Sequence, residues 1–136
     1  MKDVVIDKQW AKLECAEMLP PNCPPHDARQ PNNERFFRLV DSLPPTAEDF
    51  YSQRRLYPSK QFSNECRALA VSLFGSYTDC QEKKKLPNLK QKMVVGIVLP
   101  PESGVILKTV RTHYAWWMAK HFDPVPCCRW ASDLGT

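Results

Sequence analysis

A chain of 136 residues and 15.7 kDa is one domain's worth of polypeptide, since domains cluster at about 100–150 residues. Thirteen prolines against four glycines argue against a long helical bundle, and without a G-x-G-x-x-G or G-x-x-x-x-G-K-[ST] run the glycine-rich phosphate-cradling enzymes are excluded. Nineteen Lys and Arg against fifteen Asp and Glu leave +4, too little to imply a nucleic-acid binder by itself, while 43% apolar and 25% charged residues read as globular rather than disordered.

In chain order, Asp7 is placed to cap a helix whose apolar positions Trp10, Leu13, Ala16 and Met18 recur at near-helical spacing, and Pro20-Pro21 must end it. From Leu19 to Asn33 five prolines and four Asn or Gln leave almost nothing apolar, which reads as a proline-rich loop forming a stiff strap. Arg35 to Val40 is a strand, bounded by Asn32-Asn33 and Asp41-Ser42. Thr46 then heads a helix with Glu48 and Asp49 in its first turn, running to about Leu56 before Pro58. Asn64 to Phe74 reads as a helix or turn giving way to a strand near Ala70, and Ser76 or Thr78 caps a polar helix ending before Pro87. Met93 to Leu99, apolar on both faces, is a central strand. After the Pro100–Gly104 turn, Val105 to Val110 is expected to return as its antiparallel partner, and His113-Tyr114-Ala115-Trp116-Trp117-Met118 follows. The expected fold is a single α+β domain: a small, mostly antiparallel sheet with two or three short helices, comprising an N-terminal helix and strap over 1–34 and a core over 35–130.

The longest uncharged apolar run, Met93 to Leu99, falls far short of the roughly 20 residues that span a bilayer. Acids at Asp3 and Asp7 interrupt what would have to be the apolar part of a secretory signal. The expectation is a cytoplasmic protein with no membrane partner. The six cysteines, Cys15, Cys23, Cys66, Cys80, Cys127 and Cys128, then default to buried thiols. Cys23-x-x-His26 and Cys127-Cys128 are the competing zinc ligands, but no C-x-x-C pair exists, so no metal is expected.

Candidate chemistry is scattered over apolar elements. Arg38 interrupts Phe36, Phe37, Leu39 and Val40; it reads as an edge-strand arginine reaching water or a carboxylate, or as an anion clamp, since a planar guanidinium suits phosphate or carboxylate. Ser72 sits likewise within Ala70 to Phe74, as a buried serine bonded to backbone or as a ligand contact. His113, Tyr114, Trp116 and Trp117 form the densest aromatic block. Adjacent tryptophans on a strand face opposite sides, so one is core while the other is exposed or lines a cleft, as aromatic cover or a stacking platform. An exposed tryptophan would also favour a homodimer. Lys83-Lys84-Lys85 with Lys90 and Lys92 reads as a solvated face unless it joins Arg54, Arg55 and Arg111.

The blocks Phe36-Phe37-Arg38-Leu39-Val40-Asp41 and His113-Tyr114-Ala115-Trp116-Trp117 resemble those of a family of short, uncharacterised bacterial proteins, a likeness covering residues 35 to 117 that implies no activity. A looser resemblance is to the ADP-ribosyltransferase-like fold, whose members set an arginine or histidine on a first core strand, a serine on a second and often a glutamate on a later one, around bound NAD. That resemblance would give Arg38 and Ser72 the first two roles. The third would fall to Glu102, in a proline-glycine turn rather than on a strand.

Three functions follow as expectations. The first is a non-catalytic binding or interaction protein, of the mobile-element or accessory type, taking a protein or small molecule in a groove beside Trp116-Trp117. The second is a transferase-like enzyme holding NAD or another phosphorylated nucleotide through Arg38 and Ser72. The third is a nucleic-acid-binding module built on the lysine run. Rigid proline-set connections suit a preformed binding surface and favour the first.

Overall fold

The computed structural model describes residues 10–129, which form one antiparallel six-stranded sheet with three short α-helices, an α+β architecture. The strands are β1 (Glu34–Val40), β2 (Val71–Phe74), β3 (Met93–Leu99), β4 (Gly104–Lys108), β5 (His113–Met118) and β6 (Cys128–Arg129). Their spatial order is β4-β5-β2-β1-β3-β6.

That order corrects two expectations. β4 does not return beside β3: it pairs with β5, from Gly104↔Met118 to Lys108↔Tyr114, while β3 lies between β1 and β6. Pro100 and Pro101 lack the N–H groups a tight hairpin would use, and residues Pro101–Ser103 instead make a 3-10 turn that sends the chain to the far edge. The local hairpin forms one step later, where Arg111 takes a left-handed φ of 54° between β4 and β5. β1, paired on both sides, is internal, so Arg38 is not an edge residue.

Each helix starts on a polar side chain that accepts a backbone N–H. Ser52 caps α1 (Gln53–Leu56), Asn64 caps α2 (Glu65–Ala68) and Ser76 caps α3 (Tyr77–Lys83). The helix expected from Thr46 to Leu56 is broken in two. Thr46 heads a 3-10 turn over Ala47–Phe50, and Tyr51 is extended. The Asp49 carboxylate explains the shortness, because it accepts from the Thr46 and Asp41 backbone N–H groups, both at 2.9 Å, and ties the turn to the end of β1.

Of the expected N-terminal helix, Asp7 lies outside the described residues. The part described is a series of turns: Leu13 bridges Ala119, a 3-10 turn covers Ala16–Met18, and Met18 is 59% exposed. Backbone pairing to the sheet overrides the helical spacing. Residues 19–33 contain no helix or strand beyond a bridge in which Arg29 and Ile106 exchange both backbone hydrogen bonds, at 2.9 and 2.7 Å. Cys23 is disulfide-bonded to Cys66 of α2 with Cα atoms 5.7 Å apart. Four of the six expected thiols remain: Cys15, Cys80, Cys127 and Cys128.

Alternation along the strands divides the core. One face gathers Phe36, Leu73, Ile97 and Trp116 with Phe50. The other carries two clusters, Ala115 and Trp117 against Trp10, Leu13 and Leu69, and Phe37 and Val94 against Cys80 of α3. Among the described residues no helix is long and apolar enough to cross a membrane.

Candidate functional site

The site begins with a fork in the sheet. β1 and β2 pair at a single position, Phe37↔Phe74, whereas β2 and β5 stay paired from Val71↔Trp116 to Phe74↔His113. Towards Ser72 the β2 backbone therefore lacks a β1 partner, and Arg38 fills its place. Its Nη1 donates to the Ser72 carbonyl at 2.7 Å and its Nε to the Asp49 carbonyl at 2.8 Å. The guanidinium carbon lies 5.9 Å from the centre of the Phe50 ring.

A cavity of about 130 Å³ opens at this fork. It is lined by Arg38, Ser72 and His113, with Tyr51 and Gln53 from the segment before α1 and Arg67 from α2. Three residues singled out in the sequence thus share one cavity. Arg38 forms no ion pair with any described residue, and no carboxylate lines the cavity. Desolvation pulls the Arg38 pKa down to about 10, with the charges of Asp49, Cys80 and Asp41 opposing it. The Asp49 carboxylate itself is occupied by the backbone of residues 41 and 46.

Ser72 and His113 are diagonal neighbours on the same face of β2 and β5, because Ser72 pairs with Ala115 and His113 with Phe74. The Ser72 hydroxyl is hydrogen-bonded to His113 Nε2. On the other side of the ring, Nδ1 lies 2.5 Å from Thr109 Oγ1, which also donates to the His113 carbonyl at 3.2 Å. When Thr109 donates to the carbonyl, its oxygen accepts from Nδ1–H and Nε2 accepts from Ser72 O–H; when it donates to Nδ1, Nε2–H donates to Ser72, so the direction of donation is set by the tautomer. Burial, Arg67 and Lys83 all hold the His113 pKa below its ordinary value, so the ring is neutral near pH 7.

The remaining candidates lie elsewhere. Trp116 and Trp117 do face opposite sides, yet neither is exposed: both are 0% accessible. Their N–H groups are satisfied by the Ser103 and Cys66 carbonyls, both at 3.1 Å. Both are core, and neither is the exposed tryptophan that would argue for a dimer. Tyr114 packs edge-on against Phe36 at 5.0 Å, on the main core side. Glu102 lines a different depression with Lys12, Gln30 and Lys120, at the Gly104↔Met118 end of the sheet. Of the cations invoked for nucleic acid, Arg54, Arg55, Lys85 and Lys92 are paired with Glu65, Glu14, Glu82 and Asp41.

Sequence reasoning missed Thr109, Arg67 and Tyr51. Thr109 was detectable in principle, since a strand pair closing over residues 109–112 must bring its first turn residue beside His113. Arg67 and Tyr51 reach the cavity through long-range packing that no local pattern encodes. Among the described residues no group of three or more His, Cys, Asp or Glu is placed to hold a metal ion. The fold and site define a single-sheet α+β protein with an arginine-lined cavity. No protein-family model, curated protein or solved structure matches the chain.

Proposed function

We propose that the protein binds a small ligand carrying one anionic group, a phosphate or carboxylate, in the Arg38–Ser72–His113 cavity. The observation that carries this reading is a part-buried guanidinium lining a cavity without any carboxylate to pair with it. A desolvated charge is costly until it is paired, and an arriving oxyanion gains charge-assisted hydrogen bonds from N–H groups already fixed in place. Arg67, on the same cavity wall, adds a second positive charge.

Size sets the ligand class. At about 130 Å³ the cavity falls below the roughly 300 Å³ at which drug-sized ligands begin, so it takes a phosphate-sized group and leaves any larger remainder outside. A phosphorylated nucleotide, NAD included, is the second reading, supported by Arg38 and Ser72 sharing one cavity. It lacks the carboxylate that glycosidic transfer would use, because Glu102 lines another depression.

Thermal melting tests both readings. Phosphate, AMP and NAD would be added separately to the wild type and to Arg38→Lys. At a hundredfold excess over Kd, binding adds about 2.7 kcal/mol, and the shift should shrink in the variant. A wild-type melting temperature indifferent to all three ligands would refute the proposal.

A further inference from the structure

We propose that Ser72 is a nucleophile, with His113 as its general base and Thr109 as the positioning residue, and that the cavity acts on small carboxylic esters. The inference rests on the anion-binding reading and deepens it: the anion the cavity favours is the oxyanion created when the serine attacks.

Three features of the geometry support it. An activated serine needs a base within hydrogen-bond reach and a third group that holds the base in the correct tautomer. Ser72 Oγ is bonded to His113 Nε2, and Thr109 Oγ1 lies 2.5 Å from Nδ1. Thr109 is itself fixed by its bond to the His113 carbonyl, so the ring cannot turn over without losing both contacts. Ser72 is an exposed residue on β2, open to a substrate. Arg38 and Arg67 line the same cavity as Ser72, and positive charge there favours the negative charge that develops during acyl transfer.

In the first step Ser72 Oγ bonds to the acyl carbon while its proton passes to His113 Nε2. The bond from that carbon to the alcohol oxygen then breaks, and the leaving oxygen takes the proton from Nε2. In the second step water attacks the acyl-serine, His113 accepts the water's proton and returns it to Ser72 Oγ, and the carboxylic acid departs. No electrons are transferred and water is the only co-reactant. The cavity volume limits the acyl group to a few carbons.

Diisopropyl fluorophosphate, which forms an Oγ–P bond with loss of fluoride, would be applied to the folded protein and its adduct located by peptide mass spectrometry. A single adduct at Ser72 is expected, with labelling at least about 100-fold slower in His113→Gln, in line with the usual worth of a general base. Thr109→Val should slow labelling and move the midpoint of its pH profile, and Thr109→Ser should restore both; a merely structural threonine would leave that midpoint in place. Turnover of p-nitrophenyl acetate should fall to background in Ser72→Ala. An unlabelled Ser72 in protein whose melting is normal, or equal labelling in His113→Gln, overturns the proposal. If phosphate still raises the melting temperature in that case, the binding reading stands and the nucleophile alone falls. If Ser72 labels while phosphate has no effect, the nucleophile stands and the free-anion reading falls.

Discussion

At the scale of single residues the fold depends on side chains that stand in for missing backbone. Arg38 is the clearest case, because two of its donors satisfy the Ser72 and Asp49 carbonyls where β1 and β2 part. Arg38→Met would leave the exposed Ser72 carbonyl to water but strand the part-buried Asp49 carbonyl, and that second effect wins, since an unsatisfied buried polar group costs about 1–3 kcal/mol. Urea unfolding should show a loss of that order, and a variant as stable as the wild type would contradict the bridging role. His113 gives a pH prediction. Its pKa is held below the ordinary value by burial first and by Arg67 and Lys83 second, so the unfolded chain binds the proton more readily, near about pH 6.5. Stability from this group is therefore complete above that value and is lost as pH falls through the lower folded-state pKa. Melting between pH 8 and pH 5 should show a shallower acid loss in His113→Gln than in the wild type, and parallel curves would show that His113 is not the source.

At the scale of elements, what the sequence made legible was local and what it hid was partnership. Strand β3 was readable because Met93 to Leu99 is a short, continuous apolar run stopped by Pro100-Pro101, a pattern that needs no knowledge of its neighbours. Helix α3 was readable because Ser76 precedes it and Pro87 follows, and both act within one turn. The pairing of β4 was not, because a turn's sequence constrains its own dihedrals while strand order is chosen by which faces bury together. The tryptophan pair was half legible for the same reason. Alternation put Trp116 and Trp117 on opposite faces, but only the docking of the N-terminal segment against Trp117 makes the second face core. Gly104 marks where β4 commits to β5. At φ 131° it adopts backbone that L side chains rarely take, and a Cβ there would lie 2.1 Å from the Trp117 carbonyl oxygen. That oxygen is backbone of a paired strand and cannot give way. Gly104→Ala should cost more than about 3 kcal/mol, combining positive-φ strain with a backbone clash, and should unzip β4 first. Amide exchange that stayed slow in this variant at Val105 and Leu107, whose N–H groups face β5, would show the strand absorbing the methyl group.

At the scale of the whole molecule, the N-terminal segment is tied down at three places far apart in the chain, two by backbone bridges and one by a disulfide to α2. Leu13 bridges Ala119, Arg29 bridges Ile106, and the disulfide joins Cys23 to Cys66 across 43 residues. The first two are single backbone bridges, so the covalent tie is the strongest of the three. Closing a loop of that length limits the unfolded chain by about 4 kcal/mol in the chain-entropy treatment, a sizeable part of the 5–15 kcal/mol typical of a domain. The tie also reaches the site. Cys66 accepts the Trp117 N–H through its carbonyl, and the next residue, Arg67, lines the Arg38–Ser72–His113 cavity. Reduction should therefore act twice, lowering global stability by up to about 4 kcal/mol and loosening α2, so that anion binding weakens even well below the melting temperature. Urea unfolding and phosphate-dependent melting, each run with and without dithiothreitol, would separate the two effects. The Cys23→Ser, Cys66→Ser double variant should behave as the reduced wild type and be indifferent to reductant. If the reduced wild type keeps its unfolding midpoint, the tie is not what holds the N-terminal segment in place; if it loses stability but binds phosphate as before, α2 is held in place by Trp117 and its own Asn64 cap rather than by the disulfide.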